Sequence, residues 1–216
     1  MRARLVHAGA VELDVEELRR RLAAPGPGAA ALPGDPGAAA GGSLTPASVL
    51  MPVLEREHEL TMLFTRRTAQ LRSHSGQISF PGGRAEPADP TPEFTALRET
   101  HEEIGLAPER VRVLGRLGDY STRTGFRITP VVGAVAAPFE LRPDAGEVDE
   151  VFEVPLSFLL DPRNHQRHSR EFQGEMRWFY AIPYRDYYIW GATAGILVNL
   201  YRHLCYLEAS AAGPVS

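Results

Sequence analysis

The chain has 216 residues, 44% of them hydrophobic and 23% charged, the proportions of a folded soluble protein with a core of its own, so wholesale disorder is excluded. The formal net charge is −4 and all 23 basic positions are arginine, which argues against a protein that holds nucleic acid by bulk electrostatics. The single cysteine, Cys205, cannot form an internal bridge and points to a reducing compartment. Met1–Val6 is too short and too charged for a secretion signal, and no run of 18 apolar residues suits a membrane span. The expectation is a cytoplasmic protein with no membrane partner.

Leu13–Ala23 reads as a short helix, with Val15, Leu18 and Leu22 recurring at helical spacing. Residues 25–46, dominated by Pro, Gly and Ala over Pro25–Gly42, read as a flexible linker. This divides the chain into an N-terminal helical extension (1–24), the linker, a main domain (47–208) and a flexible tail (209–216). Val49–Leu54 and Leu60–Thr65 read as strands, the first an edge strand because of Pro52. A short extended run, Gln77–Phe80, stops at Pro81-Gly82-Gly83. Thr91 as N-cap, Pro92 at the first position and Gly105 as stop predict a helix over Pro92–Ile104. Strands are expected at Val111–Leu117, Arg127–Ala136, Val148–Val154 and Trp178–Ile182, with a brief helix after Pro155 and a closing helix over Ala192–Leu207. Without a regular βαβ rhythm, this reads as an α/β fold, a mixed β-sheet with helices on both faces.

On the Pro92–Ile104 helix, Glu99, Glu102 and Glu103 stand at i, i+3 and i+4 and share a face. Leu97, Ile104 and Phe94 are expected to face the core, with His101 on that side. Three carboxylates so placed repel one another, at roughly 3 kcal/mol per pair at about 6 Å and an effective dielectric near 20. Two of them also lie in the last turn, where the helix dipole disfavours negative charge. Solvent, arginine or a cation must compensate, and a donor set of hard oxygens favours Mg²⁺ or Mn²⁺ over zinc. Arg98 can orient a carboxylate. Gly82 and Gly83 let backbone approach a ligand closely.

Gly83…Asp89…Arg98-Glu99-Thr100-His101-Glu102-Glu103-Ile104-Gly105-Leu106 resembles the Nudix box, G-x5-E-x7-R-E-U-x-E-E-x-G-U, where U is apolar. Thr100 replaces an aliphatic residue, Asp89 stands in place of the first Glu, and one extra residue separates Asp89 from Arg98. Upstream, Leu63-Phe64-Thr65-Arg66-Arg67-Thr68, Arg72, Gly76 and Phe80-Pro81-Gly82-Gly83 resemble the motif preceding the box in coenzyme A pyrophosphatases, L-L-T-x-R-[SA]-x3-R-x3-G-x3-F-P-G-G. Phe64 and Thr68 depart from it. The resemblance covers roughly Ala47–Leu207.

The resemblance implies a Nudix-like α/β/α sandwich and a metal-dependent hydrolase with Mg²⁺ or Mn²⁺. It would cut coenzyme A within its diphosphate, giving 4′-phosphopantetheine and adenosine 3′,5′-bisphosphate. It implies Glu99, Glu102 and Glu103 as metal ligands, with the Gly83 carbonyl. Arg98 would orient carboxylates. The general base lies between a box acid, Glu99 first, and a loop acid, Glu147, with Glu150 and Glu153 as rivals. At least one of Arg67 and Arg72 would bind a substrate phosphate, since guanidinium forks match phosphate oxygens, with Gly82 and Gly83 beside the substrate. The partner is thus a small molecule, and a homodimer is compatible with the resemblance. Rival readings are a Nudix hydrolase of ADP-ribose, NADH or a dinucleoside polyphosphate, and a non-catalytic Nudix module that senses a ligand. His165 and His168 lack zinc spacing. His74 reads as a loop residue, and Tyr184, Tyr187, Tyr188 and Trp190 as core packing before the last helix.

Overall fold

The computed structural model describes residues 13–24, 34–35, 38, 44–69, 76–172 and 174–211. In chain order its elements are α1 (Val15–Ala23), β1 (Thr45–Glu55), β2 (Leu60–Arg67), β3 (Ile78–Ser79), β4 (Gly82–Arg84) and α2 (Pro92–Ile104). Then follow β5 (Val111–Arg116), β6 (Tyr120–Ser121), β7 (Phe126–Val135), β8 (Val148–Pro155), α3 (Leu156–Leu159), β9 (Gln166–Phe172), β10 (Glu175–Tyr184), β11 (Tyr187–Trp190) and α4 (Ala192–Ala211).

Eight strands form one mixed sheet. Its path runs β3-β2-β1-β7-β5, with β4 on β1, β6 on β7 and β8 on β2. Only β1 and β7 are parallel, in register from Thr45–Phe126 to Leu54–Val135. Alternate residues of the central strands enter two cores, as the period of two requires. Leu50, Leu54, Leu63, Val131 and Val135 pack with Ala96 and Ile104 of α2. Met51, Val53, Met62, Phe64 and Val132 pack on the other face with α1, α3 and α4. This is the expected α/β/α layering. β9, β10 and β11 form a separate antiparallel sheet.

β1 is a central strand, not the edge strand that Pro52 suggested. β1 and β2 pair only at Val53–Glu55 with Leu60–Met62 and then splay apart. The chain from Ile78 to Arg84 fills the gap: β3 pairs with β2, β4 pairs with β1, and the Leu50 amide donates to the Pro81 carbonyl at 2.9 Å. Pro52 lies two residues beyond Leu50, so its nitrogen faces the same side, between the end of the β4 ladder at Val49 and the start of the β2 ladder at Val53. No ladder amide is required there, which is what a proline needs.

The N-terminal helix is seated in the core. Asp14 caps it by accepting from the Glu17 amide, and Leu13, Val15, Leu18 and Leu22 are buried against the main domain. Most of the Pro/Gly/Ala stretch lies outside the described residues. Asp35, however, is fixed on β6: its amide donates to the Ser121 carbonyl, and its carboxylate accepts from the Tyr120 hydroxyl at 2.7 Å. The last helix continues to Ala211, into the stretch expected to be tail.

Candidate active site

The wedge between β1 and β2 puts Pro81-Gly82-Gly83 beneath α2. That helix has the expected bounds and caps: Thr91 accepts from the Phe94 amide, and Gly105 takes the left-handed conformation, φ 69°. Ile104 and Leu97 pack on the core as expected, but Phe94 and His101 do not. Phe94 is 47% exposed and His101 is exposed, while Thr95, Ala96, Thr100, Glu103 and Ile104 are buried. Glu103, and Glu99 in part, therefore sit on the buried side of the helix, while Glu102 faces outward. Gly82 and Gly83 leave the room: a Cβ on Gly83 would collide with the Glu99 carboxylate. Thr100, where an aliphatic residue was expected, satisfies its hydroxyl by donating to the Ala96 carbonyl at 2.6 Å.

Glu103 is 6% exposed. It accepts from the Gly82 amide at 3.1 Å, and Arg67 at the end of β2 stands 3.5 Å from its other oxygen. Burial pushes its carboxyl up to about 7, a rise that the Gly82 amide and Arg67 oppose and that Glu147 and Glu99 reinforce. Glu99 is half-buried; burial raises its pKa and the neighbouring Arg98 opposes the rise. Glu102 is exposed and bonded to Arg98 at 3.1 Å.

Arg98 is the hub on the outer side. It forks onto Asp89 at 3.2 and 2.9 Å, donates to the Arg84 carbonyl at 3.1 Å, and stands 3.1 Å from Glu99. Asp89 is thus the anchor of Arg98 and makes none of its contacts with the three glutamates. Its remaining bonds come from the Glu86 amide and the Thr95 hydroxyl. Chiefly through Arg98, these bonds hold its carboxyl well below the usual carboxylate range.

The loop after β7 brings in the last acid. Amides of Arg142 and Asp144 bond the Ile104 and Glu103 carbonyls, closing the end of α2. The Asp144 carbonyl turns the chain by accepting from Glu147 and Val148. The Thr68 amide donates to the Glu147 carbonyl, and the Glu147 carboxylate lies 4.0 Å from Arg67. Its two rivals point elsewhere. Glu150 pairs with Arg66 and accepts from Tyr187, and Glu153 is held by Arg56 and Thr61. Arg72 and His74 lie outside the described residues.

The donors here are carboxylate and backbone oxygens, the chemistry of a hard divalent cation. Buried Glu103 and half-buried Glu99 beside glycine backbone would accept such a charge. Among the described residues, no three acidic, histidine or cysteine side chains already converge as a closed metal cage. His165 instead bonds the Leu159 carbonyl and packs edge-on against Tyr201, and His168 bonds Gln166.

Gly82 and Gly83 also line a cleft of about 440 Å³, together with Arg67, Phe126, Arg84 and Trp190. Phe126 and Arg84 were not marked by any motif. Trp190 belonged to the aromatic run read as core. That reading holds for Tyr187, stacked on Phe152 at 3.7 Å, and for Tyr184 against Phe158, but Trp190 is 40% exposed and Tyr188 46%.

A NUDIX domain matches residues 44–178. The chain belongs to the Nudix family. It is 39% identical over 154 residues to the uncharacterized Nudix hydrolase NudL of Photorhabdus laumondii, covering 71% of this chain and 82% of that one. It is 40% identical over 159 residues to the NudL of Pectobacterium atrosepticum (71% and 80% covered). Nudix hydrolase 15, mitochondrial, of Arabidopsis thaliana is 39% identical over 160 residues (71% and 56%). Among solved structures, the Nudix hydrolase RenU of M. smegmatis is 19% identical with a TM-score of 0.49, covering 80% of this chain and 89% of that one. As a Nudix hydrolase the chain acts on nucleoside diphosphate derivatives with a divalent metal ion. No helix among the described residues is long and apolar enough to cross a membrane.

Proposed function

We propose that this Nudix hydrolase is a cytoplasmic coenzyme A pyrophosphatase that releases 4′-phosphopantetheine and adenosine 3′,5′-bisphosphate. The observation that carries the reading is Arg67. It belongs to the upstream motif that resembles coenzyme A pyrophosphatases, and its guanidinium lies against both Glu103 and Glu147 at the mouth of the cleft.

Glu99, Glu103 and the Gly83 carbonyl would hold Mg²⁺ or Mn²⁺, with Glu102 completing the set once released from Arg98. When bound, the ion neutralises diphosphate oxygens and lowers the pKa of water. Arg98, fixed by Asp89, keeps Glu99 oriented. Arg67 takes a diphosphate oxygen as a substrate ligand, and Arg72 is a second candidate for that role. Glu147 is the acid outside the helix best placed to accept a proton from the attacking water, and Glu99 is its alternative within the box.

Mass spectrometry of coenzyme A incubated with Mg²⁺ or Mn²⁺ tests the reading. The two products are expected, absent without metal and reduced at least about a hundredfold in Glu103→Gln. Turnover of ADP-ribose or NADH with coenzyme A intact would reject the substrate while keeping the hydrolase. No turnover of any diphosphate would favour a ligand-sensing module.

A further inference from the structure

Trp190 ends β11 at the rim of the cleft that begins at Gly82–Gly83. Its ring contact with Phe179 is edge-on, 69° at 5.6 Å, and the side chain is 40% exposed. Of the other aromatics of its run, Tyr184 and Tyr187 are spent on packing, and the exposed Tyr188 does not line this cleft. A large apolar ring left open to water forgoes burial unless something else covers it. Its position is fixed on both sides. Gly191 turns the chain at φ 66°, and the buried Thr193 hydroxyl donates to the Ile78 carbonyl at 3.1 Å, tying the start of α4 to β3. Trp190 is therefore fixed at the junction of β11 and α4, where the chain is tied to β3.

The same cleft contains Phe126, over whose ring the Arg84 guanidinium sits at 5.3 Å. An exposed indole, a stacked guanidinium and apolar walls in about 440 Å³ suit a flat heteroaromatic ring carrying phosphate. A flexible apolar chain would gain more from a narrow enclosed channel than from one open ring.

We propose that Trp190 is the stacking platform for the nucleobase of the substrate, and that Arg84, held by Phe126, faces a phosphate of the same nucleotide. This rests on the nucleoside diphosphate reading of the acid site. It assigns the base end of the substrate to this cleft.

The protein has two tryptophans, so Trp178→Phe leaves Trp190 as the sole indole. AMP, which has no diphosphate to cut, can be titrated with magnesium present. AMP is expected to quench Trp190 fluorescence, whereas inorganic phosphate and 4′-phosphopantetheine leave it unchanged. By calorimetry, Trp190→Ala should weaken AMP binding about tenfold or more, leave phosphate binding unchanged, and be largely rescued by Trp190→Phe. No AMP binding, an AMP affinity indifferent to Trp190→Ala, or quenching by 4′-phosphopantetheine equal to that by AMP would overturn the proposal. AMP stacking without cleavage of coenzyme A would instead sink the substrate reading and leave the base site standing. Cleavage of coenzyme A with a KM unaffected by Trp190→Ala would do the reverse.

Discussion

Two adjacent glycines do different work at this site, and substitution separates them. A Cβ on Gly83 meets only the end of the Glu99 side chain, which can swing aside, whereas a Cβ on Gly82 meets the Ser48 carbonyl and the Val49 backbone, at a φ of 148° that L residues avoid. Gly83→Ala is therefore expected to keep its urea midpoint near that of the parent while turnover falls at least about tenfold, because Glu99 is displaced. Gly82→Ala is expected to lose about 1–3 kcal/mol of stability. Equal effects of the two on unfolding would contradict this division. Little of it is visible in the sequence, where both are simply glycines of a motif. Asp89 is similar. Its spacing from Arg98 leaves its role open, and only the fork onto Arg98 reveals an anchor.

At the scale of elements, local chemistry marked α2 closely, because a side-chain cap, a proline and a glycine stop all act within a few residues. Which face the helix buries depends on what lies beneath it, and a stretch without side chains at Gly82–Gly83 makes room for Glu103 beside the buried Ala96 and Ile104. The same non-local cause hid the central place of β1, since Pro52 is harmless only where two partner strands part. β9 escaped notice because all seven of its residues are exposed, so no alternation marks it. The short helix α3 carries a consequence for pH. The Leu159 carbonyl in it bonds half-buried His165, whose imidazole is pushed below its usual pKa chiefly by desolvation. The unfolded chain then takes up the proton first as pH falls through about 6.5, so the contribution of the neutral ring is intact above that pH and lost below it. His165→Gln should flatten the decline in urea midpoint between about pH 7 and 5. An unchanged slope would remove His165 from the acid limb.

Over the whole molecule, the first segment described is part of the structural core. Leu18 is fully buried, and α1 packs between β5 and α4, where Arg21 donates to the Leu204 carbonyl. Leu18→Ala is expected to cost about 2–4 kcal/mol in denaturant unfolding, as a buried leucine deletion does. A loss under about 0.5 kcal/mol would mean that α1 is an appendage after all. The amphipathic spacing of Val15, Leu18 and Leu22 disclosed the buried face. That its partner would be the far end of the chain follows from topology, which no local pattern encodes.

The wedge of chain between β1 and β2 is also a spacer of fixed length. Its entrance is clamped by a reciprocal backbone pair, the Arg67 amide to the Gln77 carbonyl at 2.9 Å and the Gly76 amide to the Arg67 carbonyl at 3.1 Å. Its exit is bonded to β1. Between those clamps Ile78 pairs with Arg66 and Phe80 stacks on Phe64 in the core, so one residue added or removed there would carry Gly82 and Gly83 away from the glutamates above them. The hydrophobic core thus acts as the ruler that spaces the chemistry.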